Sequence, residues 1–103
     1  MTQNIIQIAP QVAEKLKALS HPKRLVLLCH MAGGERSVGD LARITGMRDA
    51  AVSQQLMLLR KDGVVDARRE GQMAFYHLTD ADTQAIMTFL YERFCTETKK
   101  NGY

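Results

Sequence analysis

Apolar residues recur at helical spacing in five parts of the chain, and this pattern is interrupted only between residues 64 and 78. The first segment, VAEKLKALS, places Val12, Leu16 and Leu19 on one helical face. Five such segments with one interruption predict a mainly α-helical domain with a single short element of β-structure.

The second predicted helix runs from about residue 21 to residue 31. Its apolar face carries Leu25, Leu28 and Cys29. Ser20 is the expected N-cap. Pro22 is tolerated in the first turn, because an amide there has no partner within the helix. The glycine pair Gly33 and Gly34 is expected to end the helix.

Two short helices joined by a tight turn are predicted next. Ser37 opens the first, VGDLARIT, with Asp40 placed to complete a capping box, and Gly46 ends it. The second runs from about residue 49 to residue 61. Its buried stripe is predicted to be Val52, Leu56 and Leu59.

The segment VVDARREGQMAFYHL is rich in Val, Phe and Tyr and is broken at Glu70-Gly71, which predicts a β-hairpin with a charged tip. Thr79 and Asp82 are expected to cap a fifth helix. Its apolar side carries Ile86, Phe89, Leu90 and Phe94. Residues 1–103 are therefore predicted to form one domain in the order α1-α2-α3-α4-β-β-α5.

Composition agrees with a small globular protein, because 46% of the 103 residues are apolar and 24% are charged. No apolar run approaches the roughly 18 residues that span a membrane. The N-terminus lacks the pattern of a secretory signal, so a cytoplasmic protein is expected. The net charge is +3, and residues 36–69 hold seven basic and four acidic side chains. That excess favours a polyanion partner, although an ordinary solvated surface has similar values.

Two short helices followed by a hairpin predict a winged helix-turn-helix, whose second helix fits the major groove of DNA. The residues opposite the buried stripe are Arg48, Ala50, Ala51, Ser53 and Gln54. Polar side chains among them can bond base edges or phosphates, and alanines permit close approach. The wing tip is flanked by Arg68, Arg69 and Gln72, which are placed to reach phosphates. A domain that binds protein through the same surface is the alternative.

Three stretches, ALSHPKRL, AVSQQLMLLRKDGVV and FYHL, resemble the ArsR/SmtB family of winged-helix repressors, and the resemblance extends over about residues 12–95. Gln55 replaces a histidine that many members have. The resemblance implies a homodimer whose first and last helices pack across the two-fold axis. It also implies binding to palindromic operator DNA and release when an inducer binds. The apolar residues of the last helix favour a dimer independently, unless they pack within their own subunit.

Many members of this family sense metal ions, but the residues here do not fit the known sites. The segment SVGDL has Ser37 and Gly39 where a CVCDL-like motif supplies thiolates. The last helix has no histidine, and His21, His30 and His77 are scattered. No metal and no cofactor are therefore predicted.

The two cysteines, Cys29 and Cys95, are the remaining candidates for a sensor. Taken alone, a cysteine among apolar residues, such as Cys29, favours an inert thiol with a raised pKa. Their contexts, LVLLCHMAGGE and LYERFC, resemble the sulfide- and persulfide-responsive subgroup of the family, the SqrR/BigR type. The resemblance implies that reactive sulfur species join the two thiols of one subunit by a polysulfide bridge. DNA is then released and sulfide-detoxification genes are expressed.

Other interpretations remain open at this stage. The same thiols suit a peroxide or general redox sensor that forms a direct disulfide, and antirepressors occur among such relatives. A sulfur-transfer enzyme is disfavoured, because the chain has no CxxC motif and no second catalytic cluster. A non-enzymatic DNA-binding regulator is the prediction that accounts for most of these residues.

Overall fold

A computed structural model of the protein describes residues 4–95 and has the predicted order of elements with one additional strand. The helices are α1 (Ile5–Leu19), α2 (Pro22–Ala32), α3 (Val38–Thr45), α4 (Asp49–Lys61) and α5 (Ala81–Leu90), which continues into a π-helical turn (Tyr91–Cys95). The strands are β1 (Arg36–Ser37), β2 (Val65–Glu70) and β3 (Met73–Leu78). The winged helix-turn-helix prediction is confirmed.

The wing belongs to a three-stranded antiparallel sheet in the order β1-β3-β2. Within the hairpin, Arg68 pairs with Phe75 and Arg69 with Ala74, and Gly71 takes a φ of 63° at the turn. Strand β1 was not predicted, because two residues are too short to produce a periodic pattern. It joins the end of α2 to the wing, since Ser37 pairs with Phe75.

The core lies where α2, α3, α4 and α5 meet the start of the wing. The predicted stripe of α4 is confirmed, because Val52, Leu56 and Leu59 are all fully buried. Helix α2 contributes Leu27, Leu28 and Met31 to this core. The buried face of α2 therefore differs from the predicted one. Leu28 is central, but Leu25 and Cys29 lie half-buried at the edge of the core.

Two predicted helix caps are wrong. Helix α2 is capped by His21 without a side-chain bond, while the Ser20 hydroxyl donates to the Lys17 carbonyl and closes α1 instead. Helix α5 begins after Asp80, whose carboxylate accepts from the Thr83 amide at 3.0 Å. The proposed cap residue Thr79 instead donates its hydroxyl to the Gly63 carbonyl at 3.2 Å. Ser20 thus closes the preceding helix, and Thr79 bonds back to the turn between α4 and β2.

Helix α1 begins seven residues before the predicted segment, where the Asn4 side chain accepts from the Ile6 amide at 2.8 Å. It runs through Pro10, which removes one helical hydrogen bond and conceals the helix from pattern reading. Val12 and Leu16 face outward and are about half exposed, whereas Leu19 at the end of the helix is buried in the core.

Helix α5 divides its apolar residues between the core and the surface. Met87 and Thr83 are fully buried, whereas Ile86 and Leu90 are partly buried against the core. Phe89 and Phe94 retain 61% and 59% exposure. The face therefore does not pack wholly within its own subunit. Within residues 4–95, the structure contains no helix that is both long and apolar enough to span a membrane.

Candidate nucleic-acid interface and thiol pair

An open groove lies between the outer face of α4 and strand β3. It is lined by Ala50, Ser53, Gln54, Met57, Arg60 and Tyr76. Three of these residues were predicted from the sequence, and the exposed Ser53 and Gln54 supply the hydrogen-bonding groups. Met57 was missed, although it is 64% exposed, because a methionine on a helix pattern is usually counted as core.

The N-terminal end of α4 carries the other two predicted contacts of this helix. Arg48 is the N-cap residue and is exposed, and Ala51 lies half-buried in the first turn. Free amides at a helix N-terminus favour phosphate groups, and a neighbouring guanidinium adds positive charge. This end of α4 therefore offers its amides and one guanidinium to a phosphate, partly offset by the carboxylate of Asp49 in the same turn.

Gln55, which follows the groove residues in sequence, points away from the groove. Its side-chain oxygen accepts from Arg24 Nε at 2.8 Å, and Arg24 Nη1 donates to the Ala18 carbonyl at 2.9 Å. The substitution of the family histidine by Gln55 therefore falls on a contact that ties α4 to α2. Sequence reasoning did not identify the partner, because Arg24 lies 31 positions away.

The two wing arginines lie on opposite faces of the sheet, because side chains alternate along a strand. Arg69 shares its face with Tyr76, the groove residue. Arg68 lies on the other face, with its guanidinium 5.1 Å from the centre of the Phe75 ring. Gln72 is exposed at the hairpin turn. Arg69 and Gln72 therefore stand toward the groove and the tip, and Arg68 does not.

Arg68 is held by a carboxylate that sequence reasoning did not select. Glu35, in the connection between α2 and β1, accepts from Arg68 Nη2 at 2.8 Å and from Arg68 Nε at 3.0 Å. These charge-assisted bonds lower the pKa of the Glu35 carboxyl and raise the pKa of Arg68. The pair is partly exposed, with 37% and 46% of the two side chains accessible.

The two cysteines line one groove between α2 and the π-helical turn. The other residues of this groove are Leu25, Val26, His30 and Tyr91. Both thiols are free; Cys29 is half-buried, with its sulfur 3.9 Å from Met87 Sδ, and Cys95 is exposed. Burial, with a smaller effect from Cys95, raises the pKa of the Cys29 thiol. Cys95 is thus the thiol that a dissolved reagent meets first.

Neighbouring groups around Cys29 do not form a metal centre. Among residues 4–95, no three His, Cys, Asp or Glu side chains come together as metal ligands would. Burial, together with the charge of Arg36, lowers the pKa of His30. His30 is therefore a neutral neighbour of Cys29 near pH 7.

A compact helical core, a recognition helix beside a wing and an outward-facing polar groove define a winged-helix protein that binds DNA. The sequence pattern of the "Bacterial regulatory protein, arsR family" matches residues 21–67. A biofilm growth-associated repressor of Xylella fastidiosa (strain Temecula1 / ATCC 700964) is 45% identical over 92 residues, which cover 89% of this chain and 81% of the relative. The chain belongs to the ArsR family of bacterial transcription regulators.

Solved structures agree with this assignment. The transcriptional repressor BigR from Xylella fastidiosa has a TM-score of 0.81 and 42% identity, with 90% of this chain and 92% of that chain covered. A homodimeric winged helix-turn-helix DNA-binding domain from Mycobacterium bovis, a possible ArsR-family regulator, has a TM-score of 0.72 and 29% identity. It covers 100% of this chain and 95% of that chain. The predicted family and fold are confirmed.

Proposed function

We propose that this protein is a homodimeric transcriptional repressor that binds palindromic operator DNA and is released by persulfides acting on Cys29 and Cys95. Its DNA-binding half is supported by the groove between α4 and β3. The proposed contacts to bases and nearby phosphates are Arg48, Ala50, Ala51, Ser53 and Gln54, with Arg69 and Gln72 on the wing. The relatives named as repressors support the direction of the regulation.

The homodimer is supported by the outward apolar faces of the two terminal helices. A groove between α1 and α5 is lined in part by Val12, Leu16 and Ile86, and Phe89 is exposed beyond it. Burying such a face against its copy removes apolar area from water, and two-fold symmetry brings two recognition helices to successive turns of DNA. The homodimeric relative from Mycobacterium bovis supports this arrangement.

The thiol switch is supported by the one groove that Cys29 and Cys95 share. Cys29 belongs to α2, and Cys95 ends the turn after α5, so a bridge joins two helices that pack on each other through Met87. A bridge with added sulfur spans a longer gap than a plain disulfide. Its formation then alters how α5 sits on α2, and with it the spacing of the recognition helices in the dimer.

The chemistry balances without a further oxidant. A thiolate of Cys95 attacks the terminal sulfur of a persulfide R–S–SH, takes that sulfur and releases R–SH; a second persulfide adds a second sulfur. The Cys29 thiolate then attacks the middle sulfur of Cys95–S–S–SH and expels HS⁻. Two thiols and two persulfides thereby give a trisulfide bridge, two R–SH and one H₂S. Further sulfur transfers before closure give longer bridges.

Because the pKa of Cys29 is raised by burial, its thiolate is scarce at neutral pH. We expect alkylation at pH 7 to modify Cys95 well before Cys29. The reaction at Cys29 should accelerate only at a pH above the ordinary pKa of a cysteine thiol. Peptide mass mapping after timed exposure to iodoacetamide measures this order. Equal rates at both thiols would remove the basis for assigning Cys95 as the first nucleophile.

The decisive experiment compares intact masses of reduced protein after separate exposure to a persulfide donor and to hydrogen peroxide, with DNA binding measured on the same samples. The DNA probe is a duplex enriched from a randomised pool by the wild-type protein. A cross-linked monomer with whole sulfur atoms added, together with DNA release, is expected from the persulfide alone. Cys29→Ser and Cys95→Ser should each bind the probe and keep it after treatment.

A peroxide-responsive regulator that forms a direct disulfide is the second candidate, because Cys29 and Cys95 line the same groove. Loss of two hydrogens with peroxide, accompanied by DNA release, would support it over the persulfide switch. Unchanged mass and binding with both reagents would leave the thiols without a sensing role. Reporter expression that falls when the gene is deleted would indicate an antirepressor.

The docking of α4 is tested separately. Ser53→Ala and Gln54→Ala should each lower affinity for the selected duplex by about 1–3 kcal/mol at unchanged stability, because each removes a hydrogen-bonding group from the groove. Lys61→Ala, at the exposed far end of α4, is the control for changes on the same helix. Unchanged affinity in both groove variants would contradict this docking.

A further inference from the structure

Helix α2 is attached to both DNA-facing elements by side chains outside the groove. At its N-terminal end, Arg24 bonds Gln55 of α4 at 2.8 Å. Beyond its C-terminal end, Glu35 holds Arg68 of the wing with two oxygens. The second attachment lies only six positions after Cys29 and is separated from α2 by Gly33 and Gly34.

The Glu35–Arg68 pair is built as a structural contact. The Arg68 guanidinium is positioned over the Phe75 ring. Its distance to Glu70 is 3.8 Å, longer than its bonds of 2.8 and 3.0 Å to Glu35. His77, two residues further along β3 on the same face, places Nδ1 3.8 Å from Glu35 Oε2. A bidentate arginine–carboxylate pair fixes orientation as well as distance.

We propose that Glu35 is a positioning residue for DNA binding, and that through Arg68 it fixes the wing to the end of α2 so that the wing follows any movement of α2. Arg68 is then a structural anchor of the wing, and Arg69, on the groove side of the sheet, is its phosphate contact. The additional role in transmitting a change at Cys29 rests on the proposed thiol switch. The role of Glu35 in positioning the wing of the reduced protein is independent of that switch.

Salt dependence separates an anchor from a phosphate contact, because each neutralised phosphate releases counterions and adds about 0.9 to the slope of log affinity against log salt. We expect Arg69→Gln to weaken binding to the selected duplex and to reduce that slope by about 1. Arg68→Gln and Glu35→Gln should each weaken binding roughly threefold to tenfold with an unchanged slope, the range expected for a partly exposed ion pair.

Two control variants make the assignment specific. Glu70→Gln removes the same charge from the same face of the wing and should bind no more weakly than wild type. The double variant Glu35→Arg, Arg68→Glu reverses the pair and should recover most of the lost affinity. Thermal unfolding of every variant checks that the fold is retained, and the exposed position of these side chains makes retention the expectation.

Three results would overturn the proposal. Tighter binding by Glu35→Gln, with a slope reduced by Arg68→Gln, would mean that Arg68 is a phosphate contact masked by Glu35. Unchanged affinity in both variants would mean that the pair does not orient the wing. Failure of the charge reversal to recover affinity would remove the pairing itself as the cause.

The transmission role has its own measurement. In Glu35→Gln, the ratio of affinities before and after persulfide treatment should fall at least threefold below the wild-type ratio, because only the two-residue backbone pairing of β1 with β3 then connects the wing to the end of α2. An unchanged ratio would reject transmission through Glu35. If wild-type protein shows no response to persulfide at all, the thiol switch fails, and the measurements on reduced protein still decide the positioning role.

Discussion

Helices α4 and α5 carry similar amounts of apolar sequence but use it in opposite ways. The stripe of α4 is fully buried within its own subunit, and its outer face is polar apart from small alanines and Met57. Helix α5 buries Met87 but leaves Phe89 exposed. The apolar side of α4 is therefore covered within one chain. Helix α5, which leads to Cys95, keeps an apolar face that its own chain does not cover.

The largest expected effect on stability comes from a substitution in the buried stripe of α4. Leu56→Ala removes a fully buried side chain and should lower the free energy of unfolding by about 2–5 kcal/mol, since a cavity remains in the core. Met57→Ala, the adjacent and exposed position, is the matched control and should change it by less than about 0.5 kcal/mol. Chemical denaturation measures both. Equal losses would mean that the face of α4 is wrongly assigned.

The second prediction concerns the exposed face of α5. Phe89→Glu should raise the dimer dissociation constant at least about tenfold, because a charge placed in an apolar interface is desolvated. Met57→Glu changes an equally exposed apolar residue on α4 and should leave the dimer intact while weakening DNA binding. Analytical ultracentrifugation measures the dissociation. A dimer that survives Phe89→Glu would place the interface elsewhere.

A smaller effect is expected at the contact between α1 and α5. Asp80 caps α5 and binds Lys15 at 2.8 Å, so Asp80→Ala should cost about 1–2 kcal/mol of stability. Asp82 also contacts Lys15, at 3.2 Å, but is 76% exposed, and Asp82→Ala should cost less than about 0.5 kcal/mol. Thermal unfolding measures the difference. Equal effects would exclude the cap as its source.

The smallest effect is the acid dependence of that same contact. Bonds from Lys15 first, and then from Thr83, lower the pKa of Asp80 below its usual 3.8. The folded state therefore binds this proton less readily than the unfolded chain. The stabilisation is fully present above the unfolded pKa and is lost as the pH falls through the folded value. The difference in free energy of unfolding between wild type and Asp80→Asn should stay constant from pH 7 to about 5 and shrink below about pH 4. A constant difference would contradict this assignment.

Sequence reasoning succeeded where the physical cause is local. The stripe of α4 repeats at helical spacing, and Ser37 caps α3 by accepting from the Asp40 amide at 3.1 Å, as predicted. Gly46 ends α3 with a φ of 76°, in the left-handed region that glycine favours. Such features need only neighbouring residues, so the sequence contains the whole of their explanation.

It failed where a distant partner decides. The Asp80 cap is an exception, because its bond to the Thr83 amide is local and the predicted helix start at Thr79 was one residue early; only its contact with Lys15, 65 positions away, lay beyond the sequence pattern. Glu35 was not selected as a site residue, because its partner Arg68 is 33 positions away and no pattern connects them. Alternation along a strand already predicts that Arg68 and Arg69 lie on opposite faces, but the pairing with β3 decides which of them shares a face with Tyr76 of the groove. The predicted DNA contacts and the pairing of the thiols stay predictions.

Ser37 has two structural duties at one point of the chain. Its backbone pairs with Phe75 of the wing in β1, and its hydroxyl caps α3, which leads into the recognition helix. One residue therefore connects α3 to the wing, so a movement of either element is expected to displace the other. Substitutions in α2 or α5 leave both bonds of Ser37 in place. If the proposed thiol switch holds, we expect such substitutions to change the response to persulfide more readily than the way the wing and α3 are held together.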